Sequence, residues 1–300
     1  MPKKGRSIPD KTFITTFAGE TIMNVPQYMI DRIKEELAGR KPIFYTLSGA
    51  HLYGFPSKDS DYDIRGCHIL SLKDICRLKE ERDVIEKMDG EFDFVSFDIK
   101  KELFLLLKNN SNVLEHIFAK PLTEGPEFKE LRRIAEKSLS KKIYEPYHGL
   151  AVHNYEKYIL RNSGEGKTYE MHNPGKTHLN PDITFRTPGN GKANSTVKKY
   201  LYVLRSQMAG IYALEMGKIE PDITTLNSHF RFSVVDDLIA IKKSGSEKEL
   251  LHSAEEAESL ISKLWKELDS ALENSPLPKR PPEEAYKMAD EFLLKCRGVI

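Results

Sequence analysis

Thr46-Leu47-Ser48-Gly49-Ala50-His51-Leu52-Tyr53-Gly54-Phe55-Pro56-Ser57-Lys58-Asp59-Ser60-Asp61-Tyr62-Asp63-Ile64-Arg65-Gly66-Cys67-His68 decides how the rest of the chain is read. The apolar run Ile43-Phe44-Tyr45 leads into it, Ser48-Gly49-Ala50 turns the chain, and Pro56 to Ser60 is a polar loop. The order predicts strand, glycine turn, short helix, loop, strand. In a strand, residues i and i+2 share a face, so Asp61 and Asp63 are expected to project together, with Tyr62 and Ile64 opposite. Adjacent carboxylates repel unless a cation sits between them. Oxygen pairs of this kind suit Mg²⁺, which is commonly held by one or two carboxylates plus substrate phosphates. A glycine turn just before them offers backbone N–H groups to such phosphates. A bare D-x-D is weak evidence, since most such pairs are solvated turn residues; the surrounding stretch is what makes it informative.

The 300 residues suffice for one large domain or two ordinary ones. With 46 Lys plus Arg against 45 Asp plus Glu, global charge announces no nucleic-acid partner, and any basic surface must be local. Three separated cysteines, Cys67, Cys76 and Cys296, argue against a zinc site or a disulfide framework and fit a reducing compartment. Leu103-Phe104-Leu105-Leu106-Leu107 is far short of the ~20 residues that span a bilayer. No apolar segment follows the basic N-terminus in the manner of a signal peptide, so the expected location is the cytoplasm, with no membrane partner.

Residues 1 to about 20 read as a poorly determined arm. Tyr28, Ile30, Ile33 and Leu37 recur at helical spacing after Pro26, and Gly39 can end that helix. Lys41–Leu47 reads as a strand, and Ser71-Leu72-Lys73-Asp74 as a capping box opening a short helix. Arg82–Lys87 and Phe92–Phe97 read as strands joined at Asp89-Gly90, a strong hairpin signal. Alternation puts Asp93 and Asp98 on opposite faces, so only one can face the D-x-D pair. Asp98 stands where the helix Ile99–Lys108 begins and reads as its N-cap. Asp93 lies mid-strand between Phe92 and Phe94. It is either an exposed residue on a wet sheet face or a carboxylate with a partner, because an unpaired Asp among aromatics is costly. Glu115 draws no catalytic role, since capping and packing account for its helix.

From Pro121 the strand signals stop. Helices are expected over about 126–139, 141–162, 195–217, 233–244, 246–273 and 283–296. The fold class is therefore α+β: an N-terminal mixed-sheet domain over 1–120, then an all-helical domain over 121–300. A Gly/Asn/Pro-rich insertion interrupts the second at about 163–195. Its Lys167, Lys176, Arg186 and Lys192, interleaved with Tyr169, His172, His178 and Phe185, suit a nucleic-acid backbone and bases, or simply a mobile insertion.

The run from Gly49 to Arg65 resembles the signature of the DNA polymerase beta superfamily of nucleotidyltransferases: a glycine turn, roughly a dozen residues, then D-x-D. Within that superfamily it is most similar to the RNA-repair-pathway type of bacteria and archaea, which carries a similar G-F-P-S-K-D-S-D-Y-D-V-R segment. Val197-Lys198-Lys199-Tyr200-Leu201-Tyr202-Val203-Leu204-Arg205 resembles a second run of that group. The resemblances cover roughly residues 45–120 and 195–222. They imply a polymerase-beta-like palm and transfer of a nucleotide from an NTP to a hydroxyl, with release of pyrophosphate.

The resemblance also implies a two-metal site with Mg²⁺ ions, or Mn²⁺ in their place, about 3.5–4 Å apart. Asp61 and Asp63 would bind both ions, and Asp93 is the position matching the third carboxylate of the family. Ser48, Gly49, Ala50 and Arg65 would face the phosphates. Lys199 and Arg205, on a basic and Tyr-lined helix face, would hold the triphosphate, the base or the acceptor. The acceptor implied is an RNA end. A protein hydroxyl, or nucleotide or RNA binding without turnover, are the alternatives. One departure stands out: the second turn residue, usually Ser or Gly, is Ala50 here.

Overall fold

The computed structural model describes residues 25–57, 60–79, 81–90, 92–159, 167–170, 184–187, 196–245 and 254–300. The N-terminal arm and most of the 163–195 insertion, with Lys176, Lys192, His172 and His178, lie outside them. Of the insertion, β6 (Lys167–Glu170) and β7 (Thr184–Thr187) pair as an antiparallel ribbon.

Alternation and β-branched or aromatic content make five strands of the N-terminal region: β1 (Lys41–Leu47), β2 (Tyr62–Ile69), β3 (Val84–Asp89), β4 (Phe92–Asp98) and β5 (Pro121–Glu124). They form one sheet in the order β3-β4-β2-β1-β5. All pairs are antiparallel except β2 with β4, which run parallel. The Asp89-Gly90 hairpin forms as expected, with Gly90 at φ +62°. The expectation that strands end before Pro121 is corrected by β5, as it is by the β6–β7 ribbon. Strand β5 is only four residues long and pairs along one side with β1, so it carries too short a pattern to be read as a strand.

The sheet has two apolar faces. Tyr45, Leu47, Ile64, Phe92 and Phe94 pack under α1 (Gln27–Leu37), through Met29, Ile33 and Leu37. The opposite face, with Phe44 and Cys67, packs under α4 (Ile99–Leu107) and α5 (Ser111–Phe118). The short helices α2 (Gly49–Leu52) and α3 (Leu72–Ile75) sit in the connections either side of β2, and α3 opens with the expected Ser71/Asp74 capping box.

Apart from the β6–β7 ribbon, the elements described after β5 are helices, as expected: α6 (Phe128–Ser138), α7 (Tyr144–Tyr158), α8 (Val197–Met216), α9 (Ile223–Phe230), α10 (Ser233–Ser244), α11 (Glu255–Asn274) and α12 (Glu283–Cys296). Helix α9, eight residues capped by the Asp222 side chain, is an addition to the expected helices. Helix α8 is the axis of this part and is buried on most sides, which its Leu, Val, Met and Ala content permits. The apolar cluster is continuous from Phe44 of β1 to Phe292 of α12, so sheet and helices share one core.

That shared core grips the loop between the glycine turn and β2. Ile223 N–H donates to the Tyr53 carbonyl at 3.1 Å. Lys242, fully buried, donates to Ser57 Oγ at 2.6 Å. Tyr202 meets Tyr53 and Phe55 edge-on at 5.7 and 5.6 Å. Gly54, at φ +85°, is pressed against Asp222 so closely that a Cβ would overlap its carboxylate. The helical part thus holds the segment that delivers the first aspartates.

Candidate active site

The parallel pairing of β2 and β4 sets Asp63 directly opposite Asp93. Neighbours in register project to the same side of a sheet, so the two carboxylates stand next to each other on the face opposite α1. Arg65, two residues along, shares that face. Its Nη2 donates to Asp93 Oδ2 at 2.9 Å and lies 4.0 Å from Asp63 Oδ1. Its Nη1 donates to the carbonyls of Ile64 and Asp93 at 2.9 and 3.0 Å, which fixes the guanidinium in place. All three side chains keep a fifth to a third of their surface in solvent, at 22% for Arg65, 24% for Asp93 and 30% for Asp63. They are reachable from outside.

Strand parity therefore selects Asp93 over Asp98. Asp98 stands at the end of β4 and is used as the cap of α4, accepting from Lys100 N–H at 3.0 Å. It also accepts from Leu70 N–H at 2.9 Å and pairs with Arg297. Burial pushes the Asp98 carboxyl up, but these hydrogen bonds outweigh it and hold the group below the usual range. For Asp63 the balance is reversed. Burial raises its pKa, Arg65 opposes this, and Asp93 and then Asp61 add negative charge, leaving it above the usual range. Asp61 is exposed and stands one residue ahead of β2, near enough to act on Asp63 through its field.

The glycine turn lies against this pair. Ser48 N–H donates to the Asp63 carbonyl at 2.7 Å. Gly49 sits at φ +61°, and a Cβ there would overlap the Asp63 carboxylate. Only glycine lets backbone and carboxylate come this close. Ser48 Oγ is 2.9 Å from His116 Nε2 on α5. Burial, then the charges of Arg65 and Arg205, pushes His116 down to about 3, so the imidazole is neutral. Ala50 turns its methyl into the core and has no side-chain role at the surface; a phosphate there would meet backbone.

Arg205 requires a correction. The expected basic helix face does not include it, because its side chain has no solvent exposure. Its Nη1 pairs with Glu115 Oε1 at 2.6 Å, and its Cζ lies 3.8 Å from the centre of the Tyr53 ring. Burial opposes its charge, but Glu115 outweighs that and keeps it protonated. Arg205 acts on the site by clamping Tyr53, just past the glycine turn, rather than by touching a phosphate. Glu115, read as a packing residue, is its buried counter-ion. Lys199 is half-buried in the first turn of α8.

The donor set bears on metal binding. Among the described residues no group of three or more His, Cys, Asp and Glu is gathered closely enough to hold an ion by itself. What is gathered is a pair, Asp63 with Asp93, beside backbone N–H groups of a glycine turn. A pair of this kind fits Mg²⁺ as it is usually bound, with phosphates and water completing the shell. No helix among the described residues is long and apolar enough to cross a membrane.

A model of the RNA repair pathway DNA polymerase beta family matches residues 26–295. An uncharacterized protein of Methanocaldococcus jannaschii is 30% identical over 261 residues, which span 85% of this chain and 94% of that protein. The uncharacterized protein YcgL of Bacillus subtilis is 28% identical over 209 residues, 67% of this chain and 68% of its own. The family match runs through the sheet, the carboxylate pair and the helices that grip the loop before it, and the chain belongs to the RNA repair pathway DNA polymerase beta family, a family of nucleotidyltransferase type.

Proposed function

We propose that this protein is a nucleotidyltransferase that moves an NMP from an NTP to a hydroxyl acceptor, an RNA end, and releases pyrophosphate. The observation that carries this reading is the β2–β4 register, which places the Asp63 and Asp93 carboxylates together against the Gly49 turn. Asp63 and Asp93, with Asp61 from the approach to the strand, would hold Mg²⁺. Bound there, the cation would supply charge neutralisation for phosphates and activation of the attacking hydroxyl. The Gly49 turn offers backbone N–H groups to the phosphates. Arg65 neutralises Asp93 in the absence of substrate and is placed to pair with a phosphate when the carboxylates turn to a cation. Lys199 is the remaining candidate for a phosphate or acceptor contact. Transfer of this kind depends on positioning and charge neutralisation, and the rigid turn, strand pair and clamped Tyr53 supply the first.

The test is incubation with Mg²⁺, each α-labelled NTP in turn and RNA. Label should pass to RNA with the wild type and not with Asp63→Ala. Asp93→Asn should lose transfer while retaining NTP binding. Equal transfer by wild type and Asp63→Ala would reject the assignment of the carboxylate pair. Tight NTP binding with no label on RNA, protein or any other acceptor would leave a binding protein.

A further inference from the structure

A cavity of about 400 Å³ opens beside the carboxylate pair, between the sheet and helices α4 and α5. Ser48 and Arg65, already in contact with the glycine turn and Asp93, form part of its wall, so the cavity and the site are continuous. Asn112, which is exposed, marks where it reaches the surface. Its floor is apolar, with Val95 and Phe97 of β4 and the ring of Tyr53. Facing them are Glu102 of α4, Asn110 at the cap of α5, and Asn112 and His116 of α5.

The chemistry of this lining is unusual for a cleft beside two aspartates. Glu102 is only 2% exposed, and burial pushes its pKa up to about 8, so it is a neutral acid that can donate as well as accept. His116 is neutral as well. Asn110 already accepts from Val113 N–H at 3.1 Å, which leaves its NH₂ to donate. The inner surface therefore carries hydrogen-bonding groups and aromatic walls but no formal charge, while Arg65 stands at the junction with the phosphate side. Beyond Arg65, an anion or cation would lose hydration and gain no charged partner. A flat, neutral, hydrogen-bonding heterocycle would be matched on both counts, and the volume lies in the usual range for small-molecule sites. A larger cavity of about 740 Å³ at the other end of β1 and β2 is different. There Arg40, Lys41, Lys295 and Arg297 are each already paired with a carboxylate.

We propose that the cavity beside Ser48 and Arg65 is a base subsite, which takes the nucleobase of an NTP whose phosphates lie at Asp63 and Asp93. Glu102, Asn110 and Asn112 contact the base edge, and Phe97 and Tyr53 its faces. This rests on the nucleotidyl-transfer reading above and adds to it the groups that would choose the base.

The experiment compares Mg²⁺-dependent binding of ATP, GTP, CTP and UTP with that of inorganic tripolyphosphate, which has no base. Wild type, Glu102→Leu, Glu102→Gln, Asn112→Ala and Asp63→Ala are measured after thermal unfolding has shown each to be folded. Asn112 is on the surface, so that variant keeps the test available if Glu102→Leu does not fold. The expected result is a loss of about tenfold in affinity for the preferred NTP in Glu102→Leu and Asn112→Ala, corresponding to a lost hydrogen bond or two. Tripolyphosphate should bind these variants within about twofold of wild type, and Glu102→Gln should recover part of the NTP affinity. If both ligands weaken equally, or neither changes, there is no base subsite here, even where Asp63→Ala abolishes binding and the nucleotidyl-transfer reading stands. Binding of a short RNA is measured on the same variants, and a loss confined to it would assign the cavity to the acceptor and overturn the NTP assignment. Wild type that binds neither NTP nor tripolyphosphate overturns both readings together.

Discussion

Strand β4 carries near each end an aspartate paired with an arginine, and the two pairs behave as opposites. Near its start, Asp93 meets Arg65 with about a quarter of each side chain in solvent. At its end, Asp98 meets Arg297 with 3% and 4% exposed. Asp93 stands beside Asp63 where solvent reaches it, whereas Asp98 is sealed at the strand end between the start of α4 and Arg297. The same chemical couple is exchangeable in one place and a fastener in the other. An exposed pair can be broken cheaply, because water and a substrate replace the lost partner. A sealed pair cannot, because the surviving charge is stranded.

Mutation should separate the two most sharply in stability. Asp98→Ala leaves Arg297 buried and unpaired, and should cost about 3–5 kcal/mol in denaturant unfolding. Asp93→Ala should cost no more than about 1 kcal/mol. Similar losses at both positions would mean that the open pair is not open. Asp98→Leu combined with Arg297→Met should recover most of the loss, since a well-packed apolar pair often equals a buried ionic one.

Gly49→Ala comes next. It forces a side chain into a left-handed conformation at a cost of about 1–2 kcal/mol. It also displaces the Asp63 carboxylate, so nucleotidyl transfer should fall by about a hundredfold, the usual penalty for a misplacement near 1 Å. Activity within threefold of wild type would show that turn and carboxylate need not touch.

Glu102, buried in the wall of the cavity beside the carboxylate pair, supplies a pH test. Its pKa is about 8 in the folded protein against 4.5 when unfolded. Between those values the unfolded chain has lost the proton that the folded one keeps. Stability should therefore be highest at or below the unfolded value and fall as pH rises toward about 8, by at most about 1.4 kcal/mol per pH unit from this group. Glu102→Gln should flatten that slope, and an unchanged slope would assign it elsewhere. The smallest effect is expected at Lys199, where Lys199→Ala should change stability by less than about 0.5 kcal/mol and raise the KM for NTP only a few-fold.

The open site was largely legible in the sequence, because it depends on short-range rules. Two-residue periodicity placed Asp93 opposite to Asp98, Asp89-Gly90 set the hairpin, and Gly49 announced a tight turn. What was hidden depends on long-range partners. Nothing near Arg205 shows that Glu115, 90 residues earlier, lies buried against it, so a core cation read as a surface one. Glu102 could have been noticed, since it falls on the buried stripe of Ile99, Leu103 and Leu106, where a carboxyl is out of place. Arg297 carried no such signal, and β5 was too short to show a pattern.

The fastener has a consequence for how the molecule is made. Asp98 and Arg297 are 199 residues apart in the chain. At translation rates of roughly 5–20 residues per second, the aspartate waits about 10–40 s for its partner to be synthesised. Through that interval the first turn of α4 has its cap but no counter-ion, and the end of β2 has not yet been tied at the Leu70 carbonyl. The sheet that bears Asp63 and Asp93 can pair its strands on the ribosome, yet it is latched only when the last helix arrives. A nascent chain stalled before residue 297 would carry Asp63 and Asp93 in an unlatched sheet.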